Sequence, residues 1–375
     1  MRMDGLPTPC ALVDLDRLER NAARMGDKVA RLGARLRPHV KTHKCVEAAR
    51  IQTRGHFGGV AVSTLAEARA LAAAGFADIT YAIPIPLARI PECAEILRSG
   101  TRLRLLLDHE AALAELEAFG GAQAVRFPVF LKVDCGYHRA GVDPSSSMSV
   151  ALAARLARSA QVEFCGLLTH AGHAYHAKTR EEAAAAARKE REAVTRFAER
   201  LRLEGIEVPE TSVGSTPTIT ACESLDGVTE ARPGNYAFFD AFQVAIGSCT
   251  VQDVAFSVLC TVIGSYPERG EILVDAGALA LSKDPGPVHV RSDCGFGLVF
   301  SADGARFHPT LRVFALTQEH GQIRVGEPAS TDAFPVGSLL RILPNHSCLA
   351  AACFDRYHVL RGSEVVDEWR PARGW

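Results

Sequence analysis

Eight times in succession, a short run of β-branched and apolar residues gives way to a run rich in Ala, Leu, Arg and Glu. The β-rich runs end at RLRPHVK, GGVAVS, DITYAIP, RLRLLLD, FPVFLKVD, FCGLLTHA, EVPETSVG and VTEARPG. Between them, TLAEARALAAAG, HEAALAELEAF and the amphipathic run from Thr179 to about Leu203 read as helices. Eight strand–helix units over roughly 210 residues are what a (β/α)8 TIM barrel requires. A further strand, ALVDLD, and a helix from Asp16 to about Gly33 precede the first unit. After about Gly247 the helical period stops, and FSVLCTVIG, EILVDAG, LRVFALT, SLLRILP and YHVLRG alternate with turn signals. The expected fold is therefore α/β: a (β/α)8 barrel over residues 15–247, and an all-β domain built from 1–14 plus 248–375.

The formal net charge of −1 provides no global field for nucleic acid or acidic membranes, and no basic–aromatic interleaving appears. MRMDGLPTPC lacks the apolar core of a secretory signal, and no run is long enough to span a bilayer. The eleven Cys are scattered, odd in number and form no CxxC pair, as expected for reduced, mostly buried thiols. These features lead to the expectation of a cytoplasmic protein that binds neither membrane nor nucleic acid.

Barrel enzymes place their chemistry at the C-terminal ends of the strands. The first of these ends is RPHVKTHK, Arg37 to Lys44, with two His, two Lys and one Arg in eight residues. Three readings are open for it: an anion patch, a solvated loop, or the seat of a reactive lysine. Strand five ends at Asp134, followed by His138 and Arg139; strand six at Thr169 and His170, followed by His173, Tyr175 and His176. Strand seven runs into Gly214, Ser215, Thr216 and Pro217, and strand eight into Arg232, Pro233, Gly234, Asn235 and Tyr236. Glycine turns after strands seven and eight are the usual phosphate seat of such barrels. A lysine opposite a phosphate seat points to pyridoxal 5'-phosphate (PLP) held as a Schiff base. Any basic loop contains a Lys, but lysine is scarce here, with seven in the chain.

RPHVKTHK, KVDCGYHRAGV, LLTHAGHAYHA, VGSTPT, EARPGNYAFFD and PNHSC resemble, in order and over nearly the whole chain, the D-serine dehydratase and D-threonine aldolase family. These are fold-type III PLP enzymes related to the barrel of alanine racemase. The resemblance implies that Lys41 is the Schiff-base residue and Lys44 a neighbour. It implies that His170 stacks on the pyridine ring, Arg139 lies near the phenolic oxygen, and Tyr175 lines the site. Arg232 would partner the ring nitrogen, and Gly214, Ser215, Thr216, Gly234 and Asn235 the phosphate. Asp134 and His138 are expected to shape their loop, and the basic neighbours of Lys41 to position and solvate the anionic cofactor.

His346 and Cys348 are two residues apart, so on a strand they share a face and suit one Zn2+. HxC alone is a weak signal; the resemblance implies a divalent metal site, Zn2+ first and Mn2+ or Mg2+ as alternatives. Cys353 and His358 are expected to pack, and Asp355 is not assigned as a ligand. The implied activity is β-elimination from a 3-hydroxy D-amino acid such as D-serine, giving a 2-oxo acid and ammonia. The alternative is retro-aldol cleavage to glycine and an aldehyde, with 3-hydroxyaspartate a candidate substrate for either. An amino-acid racemase and a non-catalytic PLP carrier are weaker readings, opposed by the HxC pair and the β domain. The family likeness implies a homodimer.

Overall fold

The computed structural model describes residues 2–375. The chain divides into two compact units, one of residues 24–234 with 372–375, the other of residues 1–23 with 235–371. The chain opens with strand β1 (Cys10–Asp14) and helix α1 (Leu15–Arg31). The barrel elements then alternate: β2 (Arg35–Leu36), α2 (Val46–Thr53), β3 (Val60–Val62), α3 (Leu65–Ala73), β4 (Asp78–Pro84) and α4 (Ile90–Arg98). They continue with β5 (Arg102–Leu107), α5 (Glu110–Gln123), β6 (Phe127–Lys132), α6 (Ser147–Arg158), β7 (Val162–Leu168), α7 (Arg180–Leu203), β8 (Glu210–Val213), α8 (Thr216–Ala221) and β9 (Glu230–Ala231). All pairings are parallel, in the order β2-β9-β8-β7-β6-β5-β4-β3, and a parallel bridge between His39 and Ala61 joins the two outer edges. The sheet is therefore a closed eight-stranded barrel. β6 is buried along its whole length, so it reads as a continuous apolar run rather than an alternating one.

The first strand is shorter than its sequence suggests. β2 stops at Leu36, and Val40–Thr42 form a 3₁₀ turn capped by His39, whose Nδ1 accepts the Lys41 N–H at 3.4 Å. Pro38 offers no N–H to a ladder, so Lys41 sits on a turn beyond the strand, not at its last residue.

The N-terminal ends of the strands hold an ion network. Arg37 is fully buried and reaches Glu230 at 2.7 Å and Asp78 at 2.8 Å. Arg104 bridges Asp78 at 2.9 Å and Glu210 at 3.1 Å, and Arg35 caps Glu210 at 2.8 Å. Burial works against the Glu230 charge, but Arg37 and the Ser212 hydroxyl outweigh it and hold its pKa below the usual range. A carboxylate with a depressed folded pKa stabilises fully above its unfolded value, about 4.3, and that contribution is lost as pH falls through the folded value. Arg37→Ala strands Glu230 and is expected to cost about 3–5 kcal/mol in urea unfolding at neutral pH. Glu230→Gln should flatten the acid limb of the stability profile. A loss below about 1 kcal/mol for Arg37→Ala, the range of a surface pair, would show that the network is solvated.

The other unit is a nine-stranded sheet. Its elements are α9 (Ala241–Ala245), β10 (Phe256–Tyr266), β11 (Glu271–Val274), α10 (Ala278–Leu281), β12 (Gly297–Ser301), β13 (Phe307–Leu316), β14 (Gly321–Val325), β15 (Leu339–Pro344), α11 (Ser347–Ala351), β16 (Tyr357–Arg361) and β17 (Glu364–Trp369). The order is β11-β14-β13-β12-β15-β10-β1-β16-β17, and an added β10–β11 pairing closes the first six strands on themselves. β1 runs antiparallel to β10 and parallel to β16. Phe238 stacks on Phe256 with ring centroids 5.3 Å apart, and Tyr357 meets both edge-on at 6.0 Å. No helix among the described residues is long and apolar enough to cross a membrane.

Candidate active site

The basic run divides by function. Arg37 belongs to the buried ion network. His43 is buried, accepts the Cys45 N–H on Nδ1 at 3.0 Å and meets Gln52 Oε1 at 2.7 Å. That fixes Nε2–H as the donor, and burial lowers its pKa to about 4. Lys44 is paired with Glu67 at 3.0 Å. The expectation that these neighbours solvate an anionic cofactor is therefore corrected: Arg37, His43 and Lys44 are satisfied by protein groups. Lys41 is half-buried, and among the described residues no carboxylate pairs with it.

Around Lys41 the barrel gathers His39, His170 and Arg232. Burial, followed by the charges of Lys41, Arg232 and His170, holds His39 well below the ordinary imidazole pKa. His170 is likewise held neutral by lost hydration and by Lys41, Lys132 and Arg139. Its Nδ1–H donates to the Gly214 carbonyl at 2.7 Å, so its Nε2 carries the free lone pair. Arg232 is buried; Nε donates to Ser212 Oγ at 2.6 Å and Nη2 to the Thr169 carbonyl. Burial lowers its pKa to about 10, so it remains a cation at neutral pH.

Two glycine positions leave no room for a side chain. Gly214 has φ +135°, and a Cβ there would lie 2.8 Å from the Arg232 nitrogen; at Gly234 it would lie 2.8 Å from the His39 carbonyl. Ser215 caps α8, its hydroxyl engaged with Thr218 in a reciprocal capping box, and Thr216 opens that helix. The side-chain amide of Asn235 is engaged by protein groups: it donates to Asp240 at 2.8 Å and Ser347 at 2.9 Å and approaches Cys348 Sγ at 3.7 Å.

Arg139 is exposed and lies 5.3 Å over the Tyr137 ring. Asp134 Oδ1 accepts three backbone N–H groups, from Gly136, Tyr137 and His138, and Oδ2 meets His138 Nδ1 at 2.7 Å. Asp134 and His138 thus shape the loop that carries Arg139. Tyr175 is half-buried in the 3₁₀ turn Gly172–His176. Sequence reasoning gave Lys132 no role, yet it closes β6 in a buried position, and burial beside Arg232 lowers its pKa to about 7. Its signal was a lysine ending a strand with no polar residue before it.

The HxC pair is not on a strand. β15 ends at Pro344, His346 is the N-cap of α11, and Cys348 is the second residue of that helix. The two side chains still hydrogen-bond, although His346 makes no side-chain capping bond to the helix. His346 Nδ1 meets Asp284 Oδ2 at 3.1 Å, leaving Nε2 as the nitrogen a metal can use. Burial opposes the imidazolium, but Cys348, Asp284 and Asp240 push its pKa up to about 11. No group of three His, Cys, Asp or Glu side chains arranged to hold a metal ion occurs among the described residues. Two protein donors of zinc-binding type with a carboxylate behind the imidazole fit a metal that keeps open positions. Cys353 is exposed and so is not a packing residue, whereas His358 is half-buried on β16.

Residues 13–241 match the family described as "Alanine racemase, N-terminal domain", and residues 255–360 match a serine dehydratase domain. D-threo-3-hydroxyaspartate dehydratase from Delftia sp. (strain HT23) is 41% identical over 99% of this chain and 98% of its own. The chain belongs to the D-serine dehydratase and D-threonine aldolase family. D-serine dehydratase from Dictyostelium discoideum is 35% identical, over 100% of this chain and 98% of its own. Among solved structures, a cysteine-to-alanine variant of D-threo-3-hydroxyaspartate dehydratase in the metal-free form superposes with TM-score 0.95 at 40% identity, covering 100% of both chains. Like the rest of this PLP-dependent family, the chain joins an alanine-racemase-like barrel to an all-β domain. The residues present fit PLP: an amine without a carboxylate, a neutral imidazole, a buried guanidinium and two glycine turns that admit no Cβ.

Proposed function

We propose that this chain is a PLP- and divalent-metal-dependent lyase that eliminates water from a 3-hydroxy D-amino acid, the released enamine then taking up a water in hydrolysis to a 2-oxo acid and ammonia. The observation that carries the reading is the His346–Cys348 pair with Asp284 behind the imidazole. An imidazole and a thiolate favour Zn2+, with Mn2+ or Mg2+ as alternatives. When bound, PLP supplies an electron sink at Cα and the metal a Lewis acid for a departing hydroxide. The chain's own residues do the remaining work.

Lys41 Nζ would hold the cofactor and, once exchanged for the substrate amine, take the Cα proton. His170, neutral and tethered to Gly214, would present a flat ring to the cofactor without adding charge. Arg232 would face the ring nitrogen as a cation that keeps its protons, which limits the sink and suits an elimination needing only modest carbanion stabilisation. Gly214, Ser215, Thr216 and Gly234 would cradle the phosphate, and Asn235 would contribute through its backbone. Arg139 and Tyr175 would line the mouth. Eleven cysteines with seven of them buried support a reducing, cytoplasmic setting, and the family likeness supports a homodimer.

Product analysis tests this. The yellow protein, supplied with Zn2+ or Mn2+, is incubated with D-serine, D-threonine and D-threo-3-hydroxyaspartate, and ammonia and glycine are assayed together. Ammonia with a 2-oxo acid is the expected result. Glycine with an aldehyde would replace elimination by retro-aldol cleavage.

A further inference from the structure

Helix α7 buries Ala183, Ala187, Val194, Phe197 and Leu201 at three- and four-residue spacing. Glu190 stands in the middle of that stripe and is 1% exposed. A carboxylate at a position built for an aliphatic side chain needs partners. Its Oε1 accepts the Ala171 N–H at 2.8 Å and the Gly214 N–H at 3.1 Å. Ala171 follows His170 beyond the end of β7, and Gly214 follows the last residue of β8. The circuit closes through the His170 Nδ1–H bond to the Gly214 carbonyl.

We propose that Glu190 is a positioning residue: by clamping the backbone after β7 and after β8 to one carboxylate oxygen, it fixes the tautomer of His170 and the approach of the Gly214 turn to the cofactor phosphate. It touches neither substrate nor cofactor. Both backbone donors are turned toward α7, so Gly214 holds its positive φ and its carbonyl stays aimed at His170. Without the clamp, the Val213–Gly214 peptide is held from the other side by the Arg232 N–H bond to the Val213 carbonyl, and the Gly214 carbonyl that selects Nδ1–H on His170 loses its fixed aim.

This inference rests on the proposed cofactor site, and its first readout does not depend on it. The 15N shifts of the His170 imidazole, assigned by comparison with His170→Asn, report the tautomer in the full-length protein with or without PLP. PLP affinity is then titrated on the cofactor-stripped full chain. Glu190→Ala should give mixed tautomers and an affinity weaker by about ten- to hundredfold, the equivalent of one charge-assisted bond. Glu190→Gln keeps an oxygen acceptor for both N–H groups and should retain the Nδ1–H signature with affinity within about threefold, below a kilocalorie-scale change. A folded Glu190→Ala protein with the parent signature and affinity overturns the proposal. So does a Glu190→Gln protein that loses both, which would make charge and not geometry the cause. If Glu190→Ala does not fold, Glu190→Asp decides: one methylene shorter, it should lose the pure tautomer, and retaining it overturns the clamp. A failed Lys41 assignment would leave the tautomer result standing.

Discussion

Lys41→Ala is expected to give a folded protein that binds PLP reversibly and lacks the visible absorbance of a lysine-linked cofactor. Turnover should fall by about 10²–10⁴-fold from the lost proton transfer alone. The sharper control is Lys132 rather than Lys44. Lys44 is held by Glu67 at 3.0 Å, and its replacement should keep the band. Lys132 is the stronger rival because an amine must be neutral to attack a carbonyl, and burial has brought its pKa to about 7. Lys132 lies 5% exposed at the end of β6, however, whereas half-buried Lys41 stands on an open turn between His39 and His43. Spectra and single-turnover rates of the three alanine variants therefore separate them. A band that survives in Lys41→Ala and disappears in Lys132→Ala would sink the assignment.

The parts of this molecule that were legible in sequence are those governed by short-range period. Strand and helix runs repeat because each element must bury one face, and α7 begins at Arg180 because the hydroxyl of its N-cap Thr179 accepts the Glu182 N–H. The gathering of polar groups at the strand ends was legible for the same reason, since the topology puts all C-terminal ends together. What failed was pairing across distance. Arg37 looked like one more cation beside an anion, yet its partner Glu230 is 193 residues away in sequence. Neither residue carries a local mark of that contact. The HxC reading found the right neighbours by the wrong geometry: a strand and a helix cap both bring residues i and i+2 together, and Pro344 decided between them. The motif of Asn235 points to the phosphate seat but does not show that its side-chain amide, with two donors, goes to Asp240 and Ser347, which leaves the backbone for that seat. Glu190 did carry a signal, an acidic residue on an otherwise apolar helix stripe, and only the folded loops show what it holds.

Cys348→Ala is expected to keep the visible PLP band, lose bound metal and lose activity. The separation follows from the site's composition. His346, Cys348 and Asp284 belong to the β-rich part of the chain; the side-chain amide of Asn235 approaches Cys348 Sγ at 3.7 Å but is also held by Asp240 at 2.8 Å and Ser347 at 2.9 Å, so loss of the thiol leaves it two partners. Removing the thiolate leaves one imidazole donor, too few for a Zn2+ site that must also keep open positions. Asp284→Asn tests the layer behind. Its carboxylate fixes the His346 ring through Nδ1, and losing that charge should weaken metal binding by about 10–100-fold while leaving both donors in place. Cys353→Ala is the matched control, because that exposed thiol donates to the Leu349 carbonyl and its removal should change neither metal content nor rate. Metal content by elemental analysis, read alongside the PLP band and ammonia release, distinguishes the three variants. Chelator-treated protein should be inactive and recover with added Zn2+ or Mn2+. Full turnover after metal stripping, with the band unchanged, would assign the His346–Cys348 pair to structure and leave Lys41 to act without a Lewis acid.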